Sequence, residues 1–338
     1  MNNGWRVAVV GATGVYGETL IRVLEARECA VTEFRAVASE RSVGRQVEFR
    51  GDEYPVEALA GFDFSKVDFA LFALPPDVAL EYAPLAAEAG AIVVDASLAY
   101  ADDPDVPVVA AEFNVEALDG FRDRQIVRSP TPAALSLLVA LAPLAREVGL
   151  CEVSIAGYHA VVGAGRGAVD ELAAQCGLLL NGRPVPVAGP VFQSRIAFNC
   201  IALAGALGPD GRADVERAAE ADLRLLLGTP ELELVYTAVW VPAFYGDGAA
   251  VQLKTREPIA GAALEALLGA VSGLSMVPGA AVPTPAAQGA DQDDVHLGRL
   301  RVTGEHDRGH AFWLVADNLR RSANNSVKLV EVLARDHF

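Results

Sequence analysis

Cysteine is scarce in this chain of 338 residues, and none of the four, Cys29, Cys151, Cys176 and Cys200, stands at a metal-type spacing from another. That excludes a zinc ribbon or a disulfide-stapled scaffold; no metal is expected, and reduced, mostly buried thiols are. Positive charge is short as well, because 27 Lys and Arg against 44 Asp and Glu leave a net charge of -17. So acidic a protein is a poor partner for nucleic acid or an anionic membrane surface. Long apolar runs are also missing. The most apolar stretch, 129 to 145, carries Pro130, Pro132 and Pro143 and falls short of a bilayer span, which makes it a buried turn and helix. A strand-like run begins within a few residues of Met1, which leaves no room for the segments of a signal peptide. A cytoplasmic protein is the expectation.

What is present is the composition of a soluble enzyme-sized protein, 52% hydrophobic and 21% charged, long enough for two packed domains. Near the N-terminus, Arg6-Val-Ala-Val-Val10 is an apolar run of strand type. Gly11, Gly14 and Gly17 follow, and then Leu20, Val23 and Leu24 recur at helical spacing. In a strand, tight turn and helix of this kind, one glycine turns the chain, one lets backbone approach a pyrophosphate, and one packs helix on strand. The phosphate sits on the N–H groups that open the helix. Gly11, Thr13, Gly14, Val15 and Gly17 are therefore candidate cofactor contacts, a plain tight turn being the alternative.

A second strand is expected over Val31 to Ala38, ending in Ser39-Glu40-Arg41-Ser42. This position separates cofactors, since an acidic residue grips ribose hydroxyls whereas Arg and hydroxyls suit a 2′-phosphate. Ser39, Arg41 and Ser42 favour NADP; Glu40 argues the other way, and a solvated polar loop is the alternative. Strands over 67–73 and 91–95 flank a helix that runs through Glu88, so strands and helices alternate from Arg6 to about Val127. That is the pattern of a Rossmann-type, doubly wound parallel sheet. From Cys151 the runs lengthen, with strands over 151–158, 234–241 and 249–254 between helices over 167–180, 213–227 and 260–271. This is an α+β domain of the dimerisation or substrate type. Residues 272–290 are expected to be an extended connection, and 318–335 a helix. The domain boundaries are read as 1–130 plus 318–338, and 131–317.

Several words of the sequence, in order, resemble the aspartate-semialdehyde dehydrogenase family. They are Gly11-Ala-Thr-Gly14-Val-Tyr-Gly17, Ala38-Ser-Glu-Arg41-Ser-Val-Gly44, Gly163-Ala-Gly165, Ile196-Ala-Phe-Asn199, Pro283-Thr-Pro285, Gly298-Arg-Leu-Arg301 and Ala316-Asp-Asn318-Leu-Arg-Arg321. The resemblance spans essentially the whole chain. It implies a dinucleotide domain, a central domain carrying substrate groups and a dimer interface, and NADP, phosphate and aspartate semialdehyde as ligands. The cofactor set is read as Gly11, Thr13, Gly14, Val15, Gly17, Ser39, Arg41, Ser42 and Asn318.

The reaction the resemblance implies needs a cysteine nucleophile, a histidine base and cationic anion sites. At those positions this chain departs. Ser129-Pro130-Thr131-Pro132 stands where the family has Asn-Pro-x-Cys, so Pro132 occupies the nucleophile position. Trp240 replaces an Arg, Asp247 the base His, and Ala101 a phosphate-binding Arg. Pro75-Pro76 replaces a Gly-Gly at the nicotinamide end and removes N–H donors there. Cys200 is expected to be a core residue and no substitute nucleophile. His159, Tyr158 and Asp247 are the groups available for other chemistry. The sequence is thus identified as a usg-type paralogue of the family that lacks the catalytic cysteine. A degenerate member with a retained NADP fold and a homodimer is the first reading. An active NADP-dependent oxidoreductase on an aldehyde or altered carbonyl substrate is the second, and a hetero-oligomeric partner of an active relative is the third.

Overall fold

The computed structural model describes residues 4–279, 281–304 and 306–337. Residues 1–3 and 338, at the ends of the first expected domain, lie outside the described residues, as do position 280 in the expected connection and position 305. The chain divides into two compact units, Met1–Thr131 with Ser322–Phe338, and Pro132–Arg321.

In the first unit the order is β1 (Trp5–Val10), α1 (Val15–Ala26), β2 (Val31–Ala38), β3 (Gln46–Phe49), β4 (Asp52–Ala58), β5 (Phe69–Phe72), α2 (Pro76–Glu88), β6 (Ile92–Asp95) and β7 (Ile126–Arg128). The sheet order is β3-β4-β2-β1-β5-β6-β7. Period-two alternation divides β1 between two cores. Val7 and Val9 pack in the same cluster as Leu20 and Leu24 of α1, and Ala8 and Val10 in the same cluster as Ala79 and Ala83 of α2. The expected doubly wound parallel sheet is present, with one addition. Its edge strand β3 runs antiparallel to β4, because Arg50 and Gly51 adopt φ of 55° and 82° and close a two-residue hairpin. Arg-Gly is a weak turn signal, and the sequence reading placed no strand there.

The second unit carries α3 (Pro132–Glu147), β8 (Leu150–Ala160), α4 (Arg166–Leu180), α5 (Asp214–Leu226), β9 (Glu233–Val241), β10 (Asp247–Thr255) and α6 (Gly261–Gly269). After these come β11 (Leu274–Met276), α7 (Pro285–Gln288), β12 (Val295–Thr303) and β13 (Gly309–Ala316). A last helix, α8 (Asn318–His337), begins here and continues into the first unit. The sheet order is β11-β12-β13-β10-β8-β9. β8 runs parallel to β9 and antiparallel to β10, which is the register that builds the site below.

Two expectations are corrected. The stretch 272–290 is not wholly an extended connection, because β11 pairs with β12 from Leu274 opposite Val295, and Thr284 with Pro285 starts the short α7. Such pairing depends on a distant strand and leaves no local signal. Cys200 is exposed, not core, since it follows Phe198, itself exposed at φ 56° in an irregular segment. Among the described residues no helix is long and apolar enough to cross a membrane.

Candidate functional site

At the carboxyl end of β1, Gly11 turns the chain at φ 96°, and a Cβ there would stand 2.3 Å from the Ala73 carbonyl oxygen. A Cβ on Gly17 would stand 2.2 Å from the Gly11 oxygen, so only glycine lets the start of α1 lie this close to the strand. Gly14 caps α1 with no side chain bonded to the first turn, and Val15 is the first helical residue. The opening N–H groups of α1 thus remain for an anion. Thr13 and Ser42 come together from the two loops, Oγ1 to Oγ at 3.0 Å. Ser39 opens a 3₁₀ turn over Glu40–Ser42, on which Arg41 is exposed. Backbone kept clear by glycines, two hydroxyls and an exposed guanidinium fit a dinucleotide phosphate. Pro75 and Pro76 do not break structure; Pro75 is the cap and Pro76 the first residue of α2, where a missing N–H costs little.

Farther along the same sheet edge, Asp95 ends β6 fully buried. It accepts hydrogen bonds from Ser97 N at 3.2 Å and Ser97 Oγ at 2.8 Å, yet burial pushes its carboxyl up to about 6. Ala101 follows in a turn and bonds to Leu98 O through its backbone N–H. In the second unit Asn318 is 5% exposed, and its side-chain oxygen has no hydrogen-bond partner among the described residues.

Of the other residues marked in the sequence, His159, Trp240 and Asp247 gather on one face of the second sheet. The β8–β9 register sets His159 beside Trp240 and Gly157 beside Ala238, and Asp247 opens β10 next to them. His159 Nδ1 lies 2.7 Å from Asp247 Oδ2, and Asp247 Oδ1 accepts from Ala160 N at 3.0 Å. His159 Nε2 lies 2.8 Å from the hydroxyl of Tyr236. That hydroxyl reaches the imidazole by crossing Gly157, where a Cβ would stand 2.2 Å from it. Tyr236 is buried, and burial first, then the charges of Asp247 and Glu216, holds its phenol well above the ordinary value. Trp240 meets His159 edge-on at 6.0 Å between ring centres and Phe192 at 5.8 Å.

A small cavity of about 20 Å³ opens beside this network, lined by Ala133, Ser136 and Leu137 from α3 and by His159, Tyr236 and Asp247. The first turn of α3, which begins at Pro132, therefore faces the histidine. Ser136 Oγ is already bonded to Pro132 O at 3.0 Å. Tyr158 does not join the site; alternation along β8 turns it to the opposite face, where it packs on Trp313 at 5.5 Å. The residue the sequence reading missed is Tyr236. A glycine inside a strand marks a close approach, so Gly157 was the available signal, but it names no partner.

A glycine-turn Rossmann-type sheet and a separate mixed-sheet unit define a two-domain protein of the dinucleotide-binding class. Residues 6–121 match the NAD-binding domain of semialdehyde dehydrogenases, and residues 141–321 match the semialdehyde dehydrogenase dimerisation domain. The chain belongs to the aspartate-semialdehyde dehydrogenase family. It is 37% identical over 339 residues to aspartate-semialdehyde dehydrogenase 2 of Vibrio cholerae, with 100% of both chains covered. It is 34% identical over 341 residues to the USG-1 protein homolog of Pseudomonas aeruginosa, again over 100% of both. The crystal structure of aspartate semialdehyde dehydrogenase II from Vibrio cholerae matches with a TM-score of 0.95, over 99% of this chain and 100% of that one.

Proposed function

We propose that this chain keeps the family's dinucleotide-binding and dimerising framework but does not carry out phosphorylating dehydrogenation of aspartate semialdehyde. The observation that carries the reading is the make-up of the cavity at the start of α3. Pro132 has no nucleophilic atom, and Ser136 spends its proton on the helix backbone. Both nitrogens of His159 are engaged, by Asp247 and Tyr236, so no free base stands beside a nucleophile. Among the described residues that line the cavity there is no Lys or Arg to hold a carboxylate or phosphate. Loss of a covalent nucleophile costs about 10⁶ in turnover in the subtilisin case, and losing its companions adds little.

NADP is the cofactor in this reading, held by Gly11, Thr13, Gly14, Val15, Gly17, Ser39, Arg41, Ser42 and Asn318 and weakened at the nicotinamide end by Pro75 and Pro76. Trp240, Asp247 and Ala101 then mark anion and base positions given up. Residues 1–130 with 318–338 form the nucleotide domain, and 131–317 the domain through which a homodimer assembles; the match to a dimerisation domain supports this.

The test is phosphate-dependent NADP reduction with aspartate semialdehyde, beside the Vibrio cholerae relative at equal concentration. Turnover within about a hundredfold of the control overturns the proposal, since a missing nucleophile predicts a far larger loss. Weaker or absent turnover supports it.

A further inference from the structure

Three side chains from three strands, none adjacent in sequence, share one hydrogen-bonded line that ends at a cavity. We propose that Asp247, His159 and Tyr236 form a proton relay whose open end takes the hydroxyl or carbonyl oxygen of a small uncharged ligand. The inference rests on the second unit alone and holds whether or not a dinucleotide is bound.

The direction of each hydrogen bond follows from its partners. Asp247, ionised, accepts from Ala160 N–H and from His159 Nδ1–H, which leaves Nε2 to accept the Tyr236 O–H. In this state the phenolic oxygen offers a lone pair toward the cavity that Tyr236 lines, and it accepts the proton of a ligand hydroxyl. With His159 protonated the line reverses. Nε2–H donates to the phenolic oxygen, and the phenol O–H turns outward to donate to a ligand carbonyl. Passage between the two states takes up one proton from solvent: it joins the Tyr236 oxygen from the cavity side as the phenol's own proton moves to Nε2, the imidazolium formed is paired with the Asp247 carboxylate, and the ligand keeps all its bonds. Tyr236 carries one proton before and after, consistent with the burial that disfavours its phenolate.

The walls set the ligand class. Ala133, Leu137, Ala249, Leu314 and Ala316 make most of the lining apolar, and among the described residues no Lys or Arg lines it to compensate an anion. A cation finds the Asp247 oxygens already bonded to Ala160 N–H and to the imidazole. A cavity of about 20 Å³ holds one water-sized group, which is the size of a single oxygen. Gly157 is the device that makes the relay possible, because any side chain there would occupy the path of the Tyr236 hydroxyl.

The experiment is ¹⁵N NMR of the histidine rings in the full-length protein, titrated with three three-carbon probes: 1-propanol, propionate and propylammonium. The His159 signals are identified by their loss in His159→Gln. The expected result is a saturable shift of the His159 Nε2 signal with propanol, none with either ion, and loss of the propanol effect in Tyr236→Phe. Gly157→Ala, which keeps the tyrosine but displaces its hydroxyl, gives the same loss. No shift with propanol, an equal or larger saturable shift with an ion, or a propanol shift that survives both variants overturns the proposal.

Discussion

Gly157→Ala is the most informative single change in the second unit, because two outcomes of opposite sign are at stake. If nothing lay above Gly157, alanine would stabilise the strand by about 0.5–1 kcal/mol through lost backbone freedom in the unfolded chain. The structure instead puts the new Cβ 2.2 Å from the Tyr236 hydroxyl, 2.7 Å from the ring carbon bearing it and 3.0 Å from His159 Nε2. Tyr236 must move, which breaks a 2.8 Å hydrogen bond and leaves buried polar atoms without partners, at about 1–3 kcal/mol. Overpacking adds a similar amount. With the backbone gain subtracted, the net expectation is a loss of about 1–5 kcal/mol. For a unit of this size that is a fall in Tm of roughly 2–20 °C, read by circular dichroism under identical conditions. In a Tyr236→Phe background the hydrogen bond is already gone, so the alanine should cost at least about 1 kcal/mol less than in the parent chain. An unchanged or raised Tm, or strictly additive losses, would refute the assignment of Gly157 as the crossing point.

Two further outcomes follow from buried groups. The Asp95 carboxyl is raised from 3.8 to about 6 by burial, so the folded chain binds this proton more tightly than the unfolded chain does. The stabilisation is present below pH 4 and is lost as pH rises through 6, on the order of 3 kcal/mol; urea unfolding across that range should show the fall, and Asp95→Asn should flatten it. Among the thiols, burial and the neighbouring Glu331 push Cys29 up to about 12, whereas Cys200 is exposed. Iodoacetamide at neutral pH followed by peptide mass spectrometry should find Cys200 modified first and Cys29 only after unfolding; equal rates would contradict the burial.

The nucleotide-binding half was readable because its signals are local. β2 runs from Val31 to Ala38, as its apolar pattern requires, and the turn through Gly11, Gly14 and Gly17 needs only neighbours to explain it. The hairpin at Arg50-Gly51 escaped notice because its turn residues are atypical. In the second half, the strand containing His159 was expected, but its chemical partner was not. Tyr158 and Tyr236 are equally plausible as sequence, and only the alternation of side chains along a paired strand sends one away from the site and the other into it.

The sequence by itself determined that this chain folds as a Rossmann-type unit followed by an α+β unit, that it is strongly acidic, and that Pro132 offers no nucleophile. Those are properties of composition, period and residue type, which exist before the chain folds. The tertiary structure alone decided that Asp247, His159 and Tyr236 meet. Their contacts span 88 and 77 residues of sequence, and they form only when β8 takes its register between β9 and β10 and Gly157 leaves a passage for a phenol. Strand register is set by the burial of whole sheet faces, so no local stretch of sequence contains it.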